Sequence, residues 1–139
     1  MAVLPTVSTW RNVLARLPCA PYSLAACCDR AKTPAETDWP EIAALYGLLE
    51  RERPSAAVRV NRAFAVARAE GASAGLALLD DTVADAPYAD AVRGELLEEL
   101  GCAREAIDAF ERAARRARNH HEAKQLLERA ANLRAKGRA

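Results

Sequence analysis

The fold class is decided by the stretch LGCAREAIDAFERA, residues 100–113. Its apolar side chains, among them Ala106, Ile107 and Phe110, recur at the spacing that places them on one face of an α-helix. Gly101 comes directly before this helix, and glycine readily ends a preceding helix because it adopts positive φ without strain. The stretch therefore predicts two helices that are joined by a very short turn.

Start and stop signals for further helices lie upstream of this stretch. Asp38, followed three residues later by Glu41, predicts a helix start by side-chain capping, and Pro54 predicts the end of that helix. Ser55 predicts the next start, and Gly71 predicts the end of that second helix. These residues indicate two consecutive helices in the first half of the chain.

Further helices are predicted on both sides of the central region. Leu76, Leu79 and Val83 form the apolar stripe of a third helix, and residues 88–100 carry the stripe of the next one. Asn119 predicts the start of the last helix. Shorter helices are expected upstream, and they cover residues 8–17 and 22–31.

Very short links join these helices, which forces consecutive helices to run antiparallel. No segment alternates between apolar and polar residues as a strand would. We therefore predict an all-α fold of six or seven helices, built from stacked antiparallel helical hairpins. Residues 1–20 are expected to form a partly helical N-terminal segment, and residues 21–136 a single repeat-like helical domain.

Composition narrows the class of protein. The 139 residues are 51% hydrophobic and include only 6 glycines, while alanine is the most frequent residue, as is typical of a helical globular domain. No apolar run approaches the roughly 20 residues that a membrane helix requires, and the first residues do not form a secretion signal. We expect a cytoplasmic protein with no membrane partner.

Charge is distributed unevenly along the chain. Residues 36–101 carry six basic and thirteen acidic side chains, whereas residues 102–139 carry ten basic and five acidic ones. In the basic part, acidic residues are interleaved with arginines at helical spacing, as on a solvated helix face with i,i+4 ion pairs. The pattern lacks a helix-turn-helix, so we expect no sequence-specific binding of nucleic acid.

The cysteines and histidines predict neither a metal site nor a cofactor. Cys27 and Cys28 are adjacent, which makes a disulfide awkward, and no second pair of ligands lies at zinc-site spacing. His120 and His121 point about 100° apart on a helix, so they are poorly placed to share one metal ion. We read the cysteines as free thiols and expect no bound metal or cofactor.

Polar and aromatic residues that interrupt the alanine-rich helices are the candidate ligand-binding residues: Trp39, Tyr46, Asn61, Arg62, Arg93 and Glu95. In one interpretation they surround a groove, where aromatic rings supply contact area and arginine recognises a carboxylate or a peptide. In the other, Asn61 and Arg62 only join neighbouring helices, for instance through Asp38 or Glu95, because buried polar groups need partners.

Residues 100–113 resemble the second half of a tetratricopeptide repeat. Gly101 would make the turn, Ala106 would let two helices approach closely, and Phe110 would fill the space between repeats. Gly75 takes the position of the small residue in a weaker second copy. The resemblance implies a short tetratricopeptide-like array, in which binding commonly uses the concave surface.

A wider set of segments, in consistent order over about residues 20–135, resembles one bacterial family. They look like the tetratricopeptide-like C-terminal extension of a group of extracytoplasmic-function sigma factors. In that family the extension follows two promoter-reading domains and tunes the sigma factor through interactions. Residues 1–139 match neither of those domains, which implies a fragment or a stand-alone copy. The matching segments are residues 20–24, 37–39, 45–46, 60–67, 75–80 and 100–101.

Two functions are therefore expected from the sequence. The first is a non-catalytic module, related to a sigma-factor extension and so to transcription regulation, that binds a protein partner or a small-molecule ligand in its concave groove. The alternative is a stand-alone copy recruited as a small cofactor-independent enzyme of specialised metabolism, with the same groove as its active site.

Overall fold

The computed structural model describes residues 37–79, 85–86 and 88–138. Within these ranges the chain is helical and contains no strand. Several sequence predictions fall on residues outside these ranges. They concern the helices over residues 8–17 and 22–31, the N-terminal segment 1–20, the cysteines at positions 19, 27 and 28, and the valine at position 83. The described helices are α1 (Trp39–Glu52), α2 (Ala56–Glu70), α3 (Ala72–Ala77), α4 (Ala89–Glu99), α5 (Ala103–Arg115) and α6 (His120–Gly137).

Three helices begin at the side-chain caps that the sequence predicts. The Asp38 carboxylate accepts a hydrogen bond from the Glu41 N–H at 3.0 Å, and the Ser55 hydroxyl accepts one from the Val58 N–H at 3.1 Å. The Asn119 side chain accepts a hydrogen bond from the Glu122 N–H at 2.8 Å. Each cap satisfies a backbone donor that has no partner within its helix.

The turns after α2 and α4 are made by glycines with positive φ. Gly71 has φ 114° and Gly101 has φ 78°, a region of backbone conformation that other residues rarely adopt. The helix predicted around Leu76 and Leu79 is α3. It ends at Ala77 and is therefore shorter than the predicted apolar stripe. Leu79 is nevertheless buried against the core, just beyond the end of the helix.

Helices that follow one another in the chain pack against one another, and α2 also contacts α4. This order confirms the predicted all-α array of helical hairpins. Three apolar clusters fill it: one between α1 and α2, one shared by α2, α3 and α4, and one between α5 and α6. Phe64 lies in the central cluster and Phe110 in the last one, and both are almost fully buried.

None of the described helices combines the length and the apolar character that crossing a bilayer requires.

Two glycines allow neighbouring helices to pack more closely than side chains would permit. A Cβ atom on Gly75 of α3 would lie 2.4 Å from the Cβ of Ala67 and 2.5 Å from the carbonyl oxygen of Ala63 on α2. A Cβ on Gly94 of α4 would lie 2.7 Å from the ring of Phe110 on α5. All three distances are below those of real Cβ contacts, so each crossing favours glycine.

Replacing Gly75 with alanine should destabilise the protein although alanine favours helix. The new methyl group meets backbone and a buried methyl that cannot move aside, and overpacking of this kind costs about 1–3 kcal/mol. The matched control is Gly47→Ala in the middle of α1, where the added Cβ would lie 3.7 Å from Arg62 Nε, an ordinary van der Waals distance. That variant should gain about 0.5–1 kcal/mol.

Urea unfolding followed by circular dichroism measures both variants. Equal stability changes for Gly75→Ala and Gly47→Ala would contradict the close approach of α2 and α3.

Candidate functional site

The aromatic residues of the predicted groove belong to the core of the first hairpin. Trp39, in the first turn of α1, packs edge-on against Phe64 of α2, with ring centroids 5.7 Å apart and an interplanar angle of 70°. Tyr46 is buried in the cluster between α1 and α2. Asn61 is also buried, on α2. Aromatic packing of this kind stabilises the hairpin.

Arg62 joins α2 to α1. Its Nη1 donates to a carboxylate oxygen of Glu50 at 2.7 Å, and Arg59 Nε donates to the other oxygen at 2.9 Å. The hydrogen bond from Arg62 is the main cause that lowers the pKa of Glu50 below its usual value, and Arg59 adds to it while burial opposes it. The partner is neither Asp38 nor Glu95, the two that the sequence suggested.

Arg93 and Glu95 make separate connections from α4. Arg93 Nη2 donates to the carbonyl oxygen of Leu79 at 2.7 Å, which ties α4 to the chain after α3. Glu95 accepts a hydrogen bond from Arg129 of α6 at 2.8 Å. The Arg129 guanidinium also pairs with Glu98 at 2.7 Å and lies 4.5 Å from the centroid of the Phe110 ring. Glu95 and Arg129 thus hold α6 against α4.

Burial is the main cause that raises the pKa of Glu95 above its usual value, although the charge of Arg129 opposes it. Glu50 and Glu95 therefore shift in opposite directions, and the difference follows from their surroundings. Two arginines donate directly to Glu50, whereas Glu95 lies deeper in the protein and its attraction to Arg129 does not offset the loss of hydration.

A cavity of about 180 Å³ lies where the start of α4, the end of α5 and the start of α6 meet. None of the six residues predicted for the groove lines it, and the groove itself stays a prediction. Four alanines and a leucine supply most of its apolar surface, and charged side chains surround them. The lining residues are Asp85, Ala86, Tyr88, Asp90, Ala91, Ala113, Arg116, Ala117, Arg118, Glu122 and Leu126.

Asp90 organises the charged side of this cavity. Its side chain is only 6% exposed, and Arg112 Nε approaches its carboxylate at 3.1 Å. Arg93 and Arg116 approach the same carboxylate at 3.7 Å each. Arg116 also reaches outward, where its Nη2 lies 3.0 Å from Asp85. One buried carboxylate therefore positions three guanidinium groups, and one of them extends to the cavity rim.

Tyr88 forms the aromatic side of the cavity in an unusual backbone conformation. It precedes the first residue of α4 with φ 66°, in the left-handed region where bulky side chains are strained. Its side chain is 44% exposed, and the Arg118 guanidinium lies 5.8 Å from the ring centroid. Strain in a half-exposed aromatic residue at a cavity is typical of a functional position.

The sequence interpretation missed this cavity for identifiable reasons. The sequence places Tyr88 in the apolar stripe of a helix, and it predicts that the arginines of residues 102–139, which include Arg116 and Arg118, lie on a solvated face. One signal was available: Asp90 stands among Ala89, Ala91 and other small or apolar residues, where a charge at a core position requires a partner. The partner that it required is the arginine cluster near the end of α5.

The cavity provides an apolar floor, an aromatic ring and guanidinium donors, which is the chemistry of a binding site. Among residues 37–79, 85–86 and 88–138, no group of three or more His, Cys, Asp and Glu side chains is placed to hold a metal ion. The exposed His121 instead contacts Gln125 on the next turn of α6, at 3.0 Å.

Comparison with known proteins gives one informative relative. No family model matches the chain, and no solved structure matches it. A protein of Rhizobium meliloti (strain 1021), named Uncharacterized protein R00370, is 44% identical over 104 residues. The match covers 73% of this chain and 25% of the relative, so the chain spans about a quarter of the length of the curated protein it matches.

The stability of the protein should respond to pH in opposite directions through Glu50 and Glu95. The raised folded-state pKa of Glu95 means that its contribution is full below the usual value of 4.5 and is lost as pH rises through the folded-state value. The lowered pKa of Glu50 means that its contribution is full above 4.5 and is lost as pH falls through the folded-state value.

Unfolding free energies of the wild type, Glu95→Gln and Glu50→Gln, measured over a range of pH, test this difference. The advantage of the wild type over Glu50→Gln should grow as pH rises from acid towards neutrality. Its advantage over Glu95→Gln should shrink. A change of the same sign for both variants would show that their surroundings are assigned wrongly.

Proposed function

We propose that this chain is a non-catalytic protein-interaction module, and that it holds one anchoring side chain of a partner protein in the cavity between α4, α5 and α6. The observation that carries the proposal is the cavity itself, with the strained and half-exposed Tyr88 at its side. Strained residues cluster at functional sites, so the backbone conformation of Tyr88 supports a role for its side chain.

The size of the cavity favours a protein partner over a small-molecule ligand. Sites for drug-sized ligands and cofactors enclose roughly 300–1,000 Å³, whereas this cavity encloses about 180 Å³. A cavity of that size suits a single apolar side chain, and protein interfaces commonly depend on a few such anchors that enter well-packed pockets.

The resemblances of the sequence support an interaction role. The resemblance to sigma-factor extensions implies a domain that acts through interactions, and we propose the same role here, in transcription regulation and in the cytoplasm. The resemblance to a tetratricopeptide-like array supports this role, because arrays of helical hairpins expose extended binding surfaces.

The geometry of the cavity favours binding over the enzyme alternative. The most buried carboxylate at the cavity, Asp90, is engaged by three guanidinium groups, an arrangement that positions arginines for binding.

Replacing Tyr88 should abolish partner binding without unfolding the protein. Asparagine tolerates the left-handed backbone conformation, so Tyr88→Asn relieves strain while it removes the ring. Loss of a central anchor contact should weaken binding by about 2 kcal/mol or more, which is roughly thirtyfold. The melting temperature should stay within a few degrees of that of the wild type.

A random peptide library displayed on phage and selected against the full chain supplies the probe. The selected peptides are synthesised, their affinities are measured by fluorescence anisotropy, and backbone amide shifts locate the binding surface. Ala117→Trp, which fills the cavity, is a second blocking variant. Leu48→Ala is the matched control, because Leu48 is an exposed leucine of α1 that does not line the cavity. Peptides that bind Tyr88→Asn and Ala117→Trp as tightly as the wild type would contradict the proposal.

A further inference from the structure

The surface around the cavity is strongly basic on one side. Residues 112–124 run from the last turn of α5 to the start of α6, and they carry five basic side chains and one acidic side chain. All five basic residues are exposed, and two of them, Arg116 and Arg118, line the cavity. A partner segment that places its anchor in the cavity must therefore pass beside several guanidinium groups.

Arg116 is already engaged at this rim by an exposed carboxylate. Its side chain is 53% exposed and pairs with Asp85, which is 96% exposed. Exposed ion pairs contribute little to stability, because water and salt screen them. Asp85 can therefore be displaced at little cost. The buried Asp90, in contrast, keeps Arg116 near the cavity whether or not Asp85 is in place.

Arg118 is positioned independently of Asp90. Its backbone N–H donates to the Glu122 carboxylate at 3.2 Å, and its guanidinium lies over the Tyr88 ring. Two guanidinium groups held by different contacts thus flank one cavity. Arginine favours carboxylates, because its planar group offers paired donors that match the two oxygens.

We propose that the occupant is an acidic segment of a partner protein, in which an apolar side chain enters the cavity and a neighbouring Asp or Glu replaces Asp85 on Arg116. Asp85 then acts as an internal competitor for Arg116, which the carboxylate of the partner must displace. This inference rests on the proposed function and specifies the chemistry of its partner.

The geometry favours an acidic peptide over a nucleic acid. Asp85, Asp90 and Glu122 all line the cavity, so carboxylates interrupt its basic surface. The volume of the cavity is about that of one apolar side chain, which suits the anchor of a peptide. A nucleic-acid interface would instead present a continuous basic surface.

The test compares the tightest peptide from the library with synthetic copies in which each Asp or Glu is replaced by its amide. The wild-type chain should bind the acidic peptide at least about tenfold more tightly than the amide copy. The difference should shrink as salt is raised from about 0.05 M to about 0.5 M, because salt screens exposed charges.

Variants of the chain identify the groups responsible. Arg116→Gln and Arg118→Gln should each lose most of the preference for the acidic peptide. The matched control is Arg115→Gln, because Arg115 is an exposed arginine at the end of α5 that does not line the cavity. Asp85→Asn should bind the acidic peptide several-fold more tightly. Asp108→Asn, on the exposed side of α5, should leave binding unchanged.

The outcomes separate this inference from the proposed function. If the amide copy binds equally well and Tyr88→Asn still abolishes binding, the acidic partner is wrong and the interaction module stands. If no peptide binds at the cavity, both are wrong. Displacement of the peptide by duplex DNA through Arg116 and Arg118, or self-association of the chain that Arg116→Gln abolishes, would also overturn the acidic partner in favour of a nucleic acid or a second copy.

Discussion

Close approach between helices is the constraint on which the rest of this structure depends. At the α2–α3 crossing, Gly75 lies against Ala63 and Ala67 with no room for a further carbon atom, and Gly94 meets the face of Phe110 in the same way. Helices this close exclude water and gain dispersion energy over their whole contact. The small side chains leave little apolar area to bury, so the protein relies on tight packing and on the ion pairs that surround it.

Those ion pairs connect neighbouring helices, and they add to the apolar contacts between the same helices. Arg129 reaches from α6 to two glutamates of α4, and Arg68 of α2 pairs with Glu99 of α4. These pairs lie at the contacts between helices, so they help to specify which helix faces meet.

Much of the fold was predictable because the helix ends depend on residues that are close together in the sequence. Asp38, Ser55 and Asn119 cap helices by contacts within three residues, and Gly71 and Gly101 make turns that depend on their own backbone conformation. The cavity was not predictable in the same way. Its residues come from the starts of α4 and α6, the end of α5, and the segments just before α4 and between α5 and α6. Whether an arginine such as Arg112 is solvated or pairs with a buried carboxylate 22 residues away depends on the tertiary packing. The predicted groove requires that Trp39 and Arg93 lie on one surface, and spacing along the chain cannot establish this.

The last hairpin of this array, α5 and α6, has an apolar cluster of its own. Ala106, Phe110, Ala130 and Leu133 hold the last hairpin together, and the clusters around α2 do not include them. Such a unit can undergo local unfolding while the remainder stays folded. The cavity lies across this boundary, with walls from α4, α5 and α6. A segment bound there, as we propose, would contact both sides of this boundary, so it would slow amide hydrogen exchange in the last hairpin while exchange in α1 stays unchanged.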